Sequence, residues 1–179
     1  MENSLEKIIK QCQKQNRSAQ KEIYTLFSPT LFSICLRYEN NYEDAQDIFQ
    51  EGFITIYNKI EQYKFEGSFE GWLKRIMVNQ ALTKLRTKNY LQTDKLEEIT
   101  DLVEEENDFA FEIAYDDLLA LVQELSQQYR QVFNLYVFEE YSHQEIAELL
   151  NISVNTSKSN LSRARNILKE KINLLKYPS

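Results

Sequence analysis

The densest run of chemistry-bearing side chains lies near the C-terminus. Asn155, Thr156, Lys158, Ser159, Ser162, Arg163 and Arg165, with Asn166 and Lys169, fall on or beside one face of a helical pattern. From position 158 to 179 there are six basic residues and one acid, Glu170. Small polar groups near the start of such a helix can reach base edges in a DNA major groove, and cations along it can meet phosphates. The plain alternative is an amphipathic helix with a solvated basic face.

A second group occupies positions 63–93. Between Gly71 and Thr93 stand Lys74, Arg75, Lys84, Arg86 and Lys88, with no acid. Arg75, Asn79, Thr83 and Arg86 recur at helical spacing as one polar stripe. Tyr63, Phe65, Phe69 and Trp72 precede or open it. Aromatic faces beside cations suit single-stranded nucleic acid, or a base taken out of its stack. Each aromatic alone is as well explained by the core, with Phe69 buried and Trp72 half-buried. A third group is acidic: Glu43, Asp44, Asp47, Gln50 and Glu51 crowd the first turns of a helix. The helix dipole accounts for carboxylates there. A docking surface for a basic partner helix is the functional alternative.

Other chemistries are excluded by what is scarce. The single histidine, His143, leaves no Glu-x-x-His pair for a di-iron site and argues against a His-rich metal site or a Ser-His-Asp triad. It is expected at the surface of a capping turn. Three glycines and two prolines among 179 residues leave no glycine-rich phosphate loop and little turn-rich β structure. No catalytic residue, metal site or cofactor is expected. Cys12 and Cys35 fall at apolar helical positions and read as buried free thiols. The longest apolar run, Leu118 to Val122, is far short of a membrane span, and the N-terminus lacks a secretory pattern, so membrane insertion is not expected and a cytoplasmic location is.

The elements that must position these groups read as helices throughout. Leu5, Ile8, Ile9 and Cys12 mark the first. Ser18 is the expected cap of a second, carrying Ile23, Leu26 and Phe27. Ser28-Pro29 reads as the start of a third, with Leu31, Ile34, Cys35 and Tyr38 inward. After Asn40-Asn41 a longer helix carries Ile48, Phe49, Gly52, Phe53 and Ile56. Ser68 restarts the pattern, with Phe69, Leu73, Ile76, Met77, Ala81 and Leu85 inward. Periodicity resumes at Tyr115, with Leu118, Leu119, Val122 and Leu125, then Val132, Phe133, Tyr136 and Val137.

The strongest local signature is a helix-turn-helix. Ser142-His143-Gln144-Glu145 is a capping box, Asn151-Ile152 a turn, and Ser153 the cap of a second helix. Val154, Ser157, Leu161, Ala164, Leu168 and Ile172 form its inner stripe. The fold class expected is all-α: two small helical domains, 1–91 and 113–179, joined by an acidic flexible linker, 92–112.

Taken in order, these pieces resemble the extracytoplasmic-function (group IV) sigma factors of bacterial RNA polymerase. Asp44-Ala45-Gln46-Asp47-Ile48-Phe49-Gln50-Glu51-Gly52-Phe53 is similar to the family's polymerase-docking helix. Phe65-Glu66-Gly67-Ser68-Phe69-Glu70-Gly71-Trp72-Leu73 resembles its promoter-melting segment. Ile76 to Ala81 with Leu85-Arg86 resembles the minus-ten reading helix. Tyr129 to Phe133 with Tyr141 to Ala147 resembles the start of the minus-thirty-five domain, and Asn155 to Arg165 its recognition helix. Asn155 and Ser157 stand where the family often has Gly and Val. Asn160 replaces a common Arg, which on this reading removes a cation from the DNA face.

The resemblance implies a non-enzymatic role. Asp44, Asp47, Gln50 and Glu51 would dock on core RNA polymerase. Asn155, Thr156, Lys158, Ser159, Ser162, Arg163 and Arg165 would read the minus-thirty-five promoter DNA as duplex. Arg75, Asn79, Lys84 and Arg86 would hold the single-stranded minus-ten element, with Phe65, Phe69 or Trp72 against an unstacked base. An anti-sigma factor is a further implied partner. A stand-alone helix-turn-helix regulator and a helical adaptor without a DNA role are the competing classes.

Overall fold

The computed structural model describes residues 4–91 and 113–176, so the acidic segment 92–112 lies outside the described residues. The chain divides into two compact units, one on each side of the Gln92–Thr93 bond. Every regular element among the described residues is helical, in agreement with the all-α expectation.

The N-terminal unit contains α1 (Ser4–Gln13), α2 (Arg17–Tyr38), α3 (Tyr42–Lys59) and α4 (Phe69–Leu91), with a 3-10 turn at Ile60–Gln62. Helix α2 is capped two residues before the expected Ser18. Asn16 is the cap, its Oδ1 accepting from the Ala19 amide at 3.0 Å. The Ser28-Pro29 break does not occur either: Pro29 lies inside one continuous 22-residue helix. Ile23, Phe27, Leu31, Ile34 and Tyr38 are all buried, so a single apolar stripe runs across the proline. Pro29 itself is exposed, where water can serve the carbonyl it leaves without a partner. Burial of the stripe outweighs the local proline cost of about 3 kcal/mol.

Asn41 caps α3, its Oδ1 accepting from Glu43 N at 2.8 Å and Asp44 N at 3.1 Å. Gly52 permits the close approach of α3 and α4: a Cβ there would lie 2.5 Å from Met77 Sδ. On α4 the inner positions are Phe69, Leu73, Met77, Val78, Ala81, Leu82 and Leu85; Ile76, expected inward, is only half-buried. Burial pushes the Cys12 and Cys35 thiols up to about 11 and about 12, so both stay protonated and inert.

The C-terminal unit contains α5 (Tyr115–Gln123), α6 (Gln127–Phe133), α7 (His143–Leu150) and α8 (Val154–Lys176). A π-helical segment, Asn134–Phe138, follows α6, and Glu139 N donates to Asn134 O at 3.1 Å. The extra residue in that turn rotates the pattern. Leu135 is buried, Tyr136 is half-buried and Val137 is exposed, whereas the 3.6-residue period placed the last two inward. Buried Arg130 donates from Nη1 to Gln123 O at 2.7 Å and ties α6 to the end of α5.

The capping box at Ser142 is complete. Ser142 Oγ accepts from Glu145 N, and Glu145 Oε2 accepts from Ser142 N at 2.8 Å. Asn151 ends α7 in the left-handed conformation (φ 54°, ψ 49°), and Ser153 Oγ accepts from Thr156 N at 2.9 Å to open α8. Val154, expected inside, is 37% exposed. Asn160 is 8% exposed and belongs to the packed side, not the DNA face. Ser157 is fully buried, 2.8 Å from His143 Nδ1. His143 is therefore not a surface residue of the turn. It is half-buried, stacked on Tyr136 at 4.6 Å, and joins α7 to α8.

Pro29→Ala restores a helical hydrogen bond and stabilises the N-terminal unit by about 1–3 kcal/mol. Trp72, the chain's one tryptophan, reports that unit's urea midpoint; an unchanged or lowered midpoint would contradict the continuous helix. Burial, then Lys158 and Arg165, hold the His143 imidazole below its ordinary 6.5. The unfolded chain therefore takes up this proton first. His143's contribution is intact above about pH 6.5 and is lost as pH falls below it. Protection factors of the α7 and α8 amides, corrected for intrinsic exchange, should fall as pH drops below about 6.5 more in the wild type than in His143→Gln; an equal fall would contradict the assignment.

Candidate nucleic-acid and protein interfaces

Helix α8 packs on α6 and α7 through Ser157, Asn160, Leu161, Ala164, Leu168 and Ile172. This leaves Asn155, Lys158, Asn166 and Lys169 exposed on the far side, with Ser159 and Ser162 half-buried between them. Thr156 and Ser159 are engaged locally. Thr156 Oγ1 lies 2.8 Å from Ser153 Oγ, and Ser159 Oγ donates to Thr156 O at 3.1 Å. The two arginines flank the polar face on opposite edges. Arg163 Nη1 donates to Tyr129 Oη at 3.4 Å, and the Arg165 guanidinium sits 5.6 Å from the Tyr136 ring centre. Both are thus partly pre-ordered, a role of Tyr129 and Tyr136 that the sequence pattern did not disclose. Burial first, and then the charges of Lys158 and Arg165, lower the proton affinity of His143 at this end of the helix.

In the N-terminal unit, Arg75, Asn79, Thr83 and Arg86 are exposed on one stripe of α4. Half-buried Trp72, three residues before Arg75, opens the same stripe. The loop before α4 is fixed from two sides. Gln13 Nε2 donates to Ile60 O at 3.0 Å and to Tyr63 O at 2.9 Å, while Tyr63 Oη donates to Gly67 O at 2.9 Å. Gly67 takes φ +80° and Phe65 φ +62°, the latter strained for a side-chain-bearing residue. That turn leaves the Phe65 ring 38% exposed, with Lys10 Nζ 5.6 Å from its centre. Phe69 differs. It is 5% exposed and packed against Phe27, Tyr63 and Trp72, so its ring has no face open to a base. Of the three expected aromatics, Phe65 and the outer part of Trp72 remain accessible.

Asp47, Gln50 and Glu51 are exposed on one face of α3, and Asp44 is half-buried at its edge. Ile54 continues that face and is 61% exposed. Its spacing from Asp47 and Gln50 already placed it there, although the apolar pattern drew attention to the other face. Lys84 is the main departure. It lies about two and a half turns from Arg75, across α4 from the Arg75–Arg86 stripe. Its Nζ is 3.5 Å from Asp47 Oδ2 and 3.8 Å from Glu51 Oε1, while Gln80 Nε2 donates to Glu51 Oε2 at 2.7 Å. The structure thus joins Lys84 to the acidic face and not to the basic stripe.

Among the described residues no group of His, Cys, Asp or Glu is placed to hold a metal ion, and no helix is long and apolar enough to cross a membrane.

Comparison with known proteins bears on both units. Residues 23–90 match the model of sigma-70 region 2, and residues 115–168 that of sigma-70 region 4. The chain is 30% identical over 185 residues to the ECF RNA polymerase sigma factor SigW of Bacillus subtilis, covering 96% of this chain and 98% of SigW. It is 29% identical over 154 residues to the ECF RNA polymerase sigma factor SigE of Mycolicibacterium smegmatis, covering 83% of this chain and 60% of SigE. Its fold is similar to that of the sigma factor RpoE solved in complex with the anti-sigma factor NepR from Bartonella quintana. There the TM-score is 0.55 at 22% identity, covering 89% of this chain and 98% of RpoE. Two sigma-70 domains in order, on a chain matched almost end to end by SigW, place this protein in the extracytoplasmic-function family of RNA polymerase sigma factors, which direct transcription initiation and are not enzymes.

Proposed function

We propose that this sigma factor docks on core RNA polymerase through the outer face of α3, reads the minus-thirty-five element as duplex with α8, and holds the separated minus-ten strand along α4. One observation carries the reading: each unit exposes one helix whose outer face is polar and basic, on opposite sides of a strongly acidic segment in the sequence. On α8, Asn155, Thr156, Ser159 and Ser162 are the base-edge group, and Lys158, Arg163 and Arg165 the phosphate group. On α4, Arg75, Asn79 and Arg86 follow the strand, and Phe65 with Trp72 offers ring surface to an unstacked base.

Asp44, Asp47, Gln50 and Glu51 form the docking face, with Ile54 as its apolar anchor. A basic partner helix is the complement of that face. The protein acts in the cytoplasm. An anti-sigma factor is the proposed regulator, by analogy with the RpoE–NepR complex.

Three substitutions separate the three surfaces. Asp47→Lys abolishes association with core polymerase while leaving the urea midpoint within about 0.5 kcal/mol of the parent. Lys158→Glu spares that association and weakens holoenzyme on minus-thirty-five duplex. Phe65→Ala spares both and weakens holoenzyme on a minus-ten single strand by about 1–3 kcal/mol. Core binding retained by Asp47→Lys would reduce the acidic turn to dipole compensation. Tight duplex binding by the free chain, without promoter-specific initiation, would favour a stand-alone regulator.

A further inference from the structure

We propose that Lys84 belongs to the polymerase-docking surface, where it acts as a built-in competitor for the docking carboxylates, and not to the strand-holding stripe. The inference rests on the docking role given to α3 above. Three observations support it. Lys84 lies across α4 from Arg75 and Arg86, the side that packs toward α3. Its ammonium is within 4 Å of both Asp47 and Glu51, the two carboxylates at the centre of the docking face. Glu51 has a second tether in Gln80, at 2.7 Å, so its place does not depend on Lys84 alone.

The charge consequence is direct. A basic group arriving at Asp47 and Glu51 meets a cation already there. It must displace the ammonium or bind beside a like charge. The Lys84 side chain is 32% exposed and the carboxylates 60% and 49%, so the pairing is screened and exchangeable. Neutralising Lys84 leaves Gln80 to hold Glu51 and raises the negative potential that the partner sees.

Core affinity measured by titration at several salt concentrations tests this. Lys84→Gln in the full chain should tighten core binding about two- to fivefold at low salt, with a steeper salt dependence. The gain should vanish when Lys84→Gln is combined with Asp47→Asn and Glu51→Gln. The urea midpoint of Lys84→Gln, followed by Trp72 emission, controls for folding. Weaker or unchanged core binding by a folded Lys84→Gln overturns the proposal. So does a shallower salt slope for holoenzyme on the minus-ten strand, which would put Lys84 on a phosphate. Failure of the wild-type chain to bind core at all would instead overturn the docking role itself.

Discussion

Helices α3 and α4 pack against each other with the Met77 thioether filling the space beside Gly52 that another residue's Cβ would take. The functional surfaces of the N-terminal unit depend on that packing. With the two helices this close, the inner positions of α4 are filled by Leu73, Met77, Ala81 and Leu85, and its basic stripe turns outward. On the α3 side of α4, Gln80 and Lys84 reach the carboxylates of the neighbouring helix. Two surfaces of opposite sign thus share one small bundle without cancelling, because the helix between them separates them by half a turn. The aromatic loop before α4 is set by the same frame, pinned by Gln13 and Tyr63 so that Phe65 stays outside while Phe69 is spent on the core.

The C-terminal unit solves a similar problem with a polar contact. A serine inside an otherwise apolar stripe is costly unless it is hydrogen-bonded. Ser157 finds His143 at the first position of the preceding helix, and the imidazole is in turn stacked on Tyr136. The π-helical turn puts Tyr136 where it can meet both His143 and Arg165. Helix α8 is thereby anchored at its N-terminal end.

Much of this was legible in the sequence because it is periodic or local. The capping box at Ser142, the turn at Asn151 and the inner stripes of α3 and α4 follow from spacing and side-chain chemistry within a few residues. The misreadings arose where a distant contact outweighed a local signal. Ser28-Pro29 has the form of a helix start, yet the stripe from Ile23 to Tyr38 carries the helix through it. Val137 and Val154 kept the apolar period but lost their burial to a π turn and a helix end. Lys84 is basic and adjacent to a basic stripe; only the packing of α3 shows that its charge is turned toward acids. The arginine supports, Tyr129 and Tyr136, come from other elements, and no spacing within α8 announces them.

The net charge of −7 hides this arrangement. Residues 92–128 hold 12 of the 28 acids and one of the 21 bases, a balance of −11 that leaves +4 for the rest of the chain. The free protein should therefore bind DNA weakly, and polymerase engagement of the acidic parts should strengthen it. Run-off transcription with core polymerase, with and without this chain, on promoter-bearing templates tests the central claim most directly. The account predicts discrete initiation sites, sharing two upstream elements at fixed spacing, only when the chain is present. Initiation unchanged by the chain, while the chain alone binds duplex tightly, would contradict it.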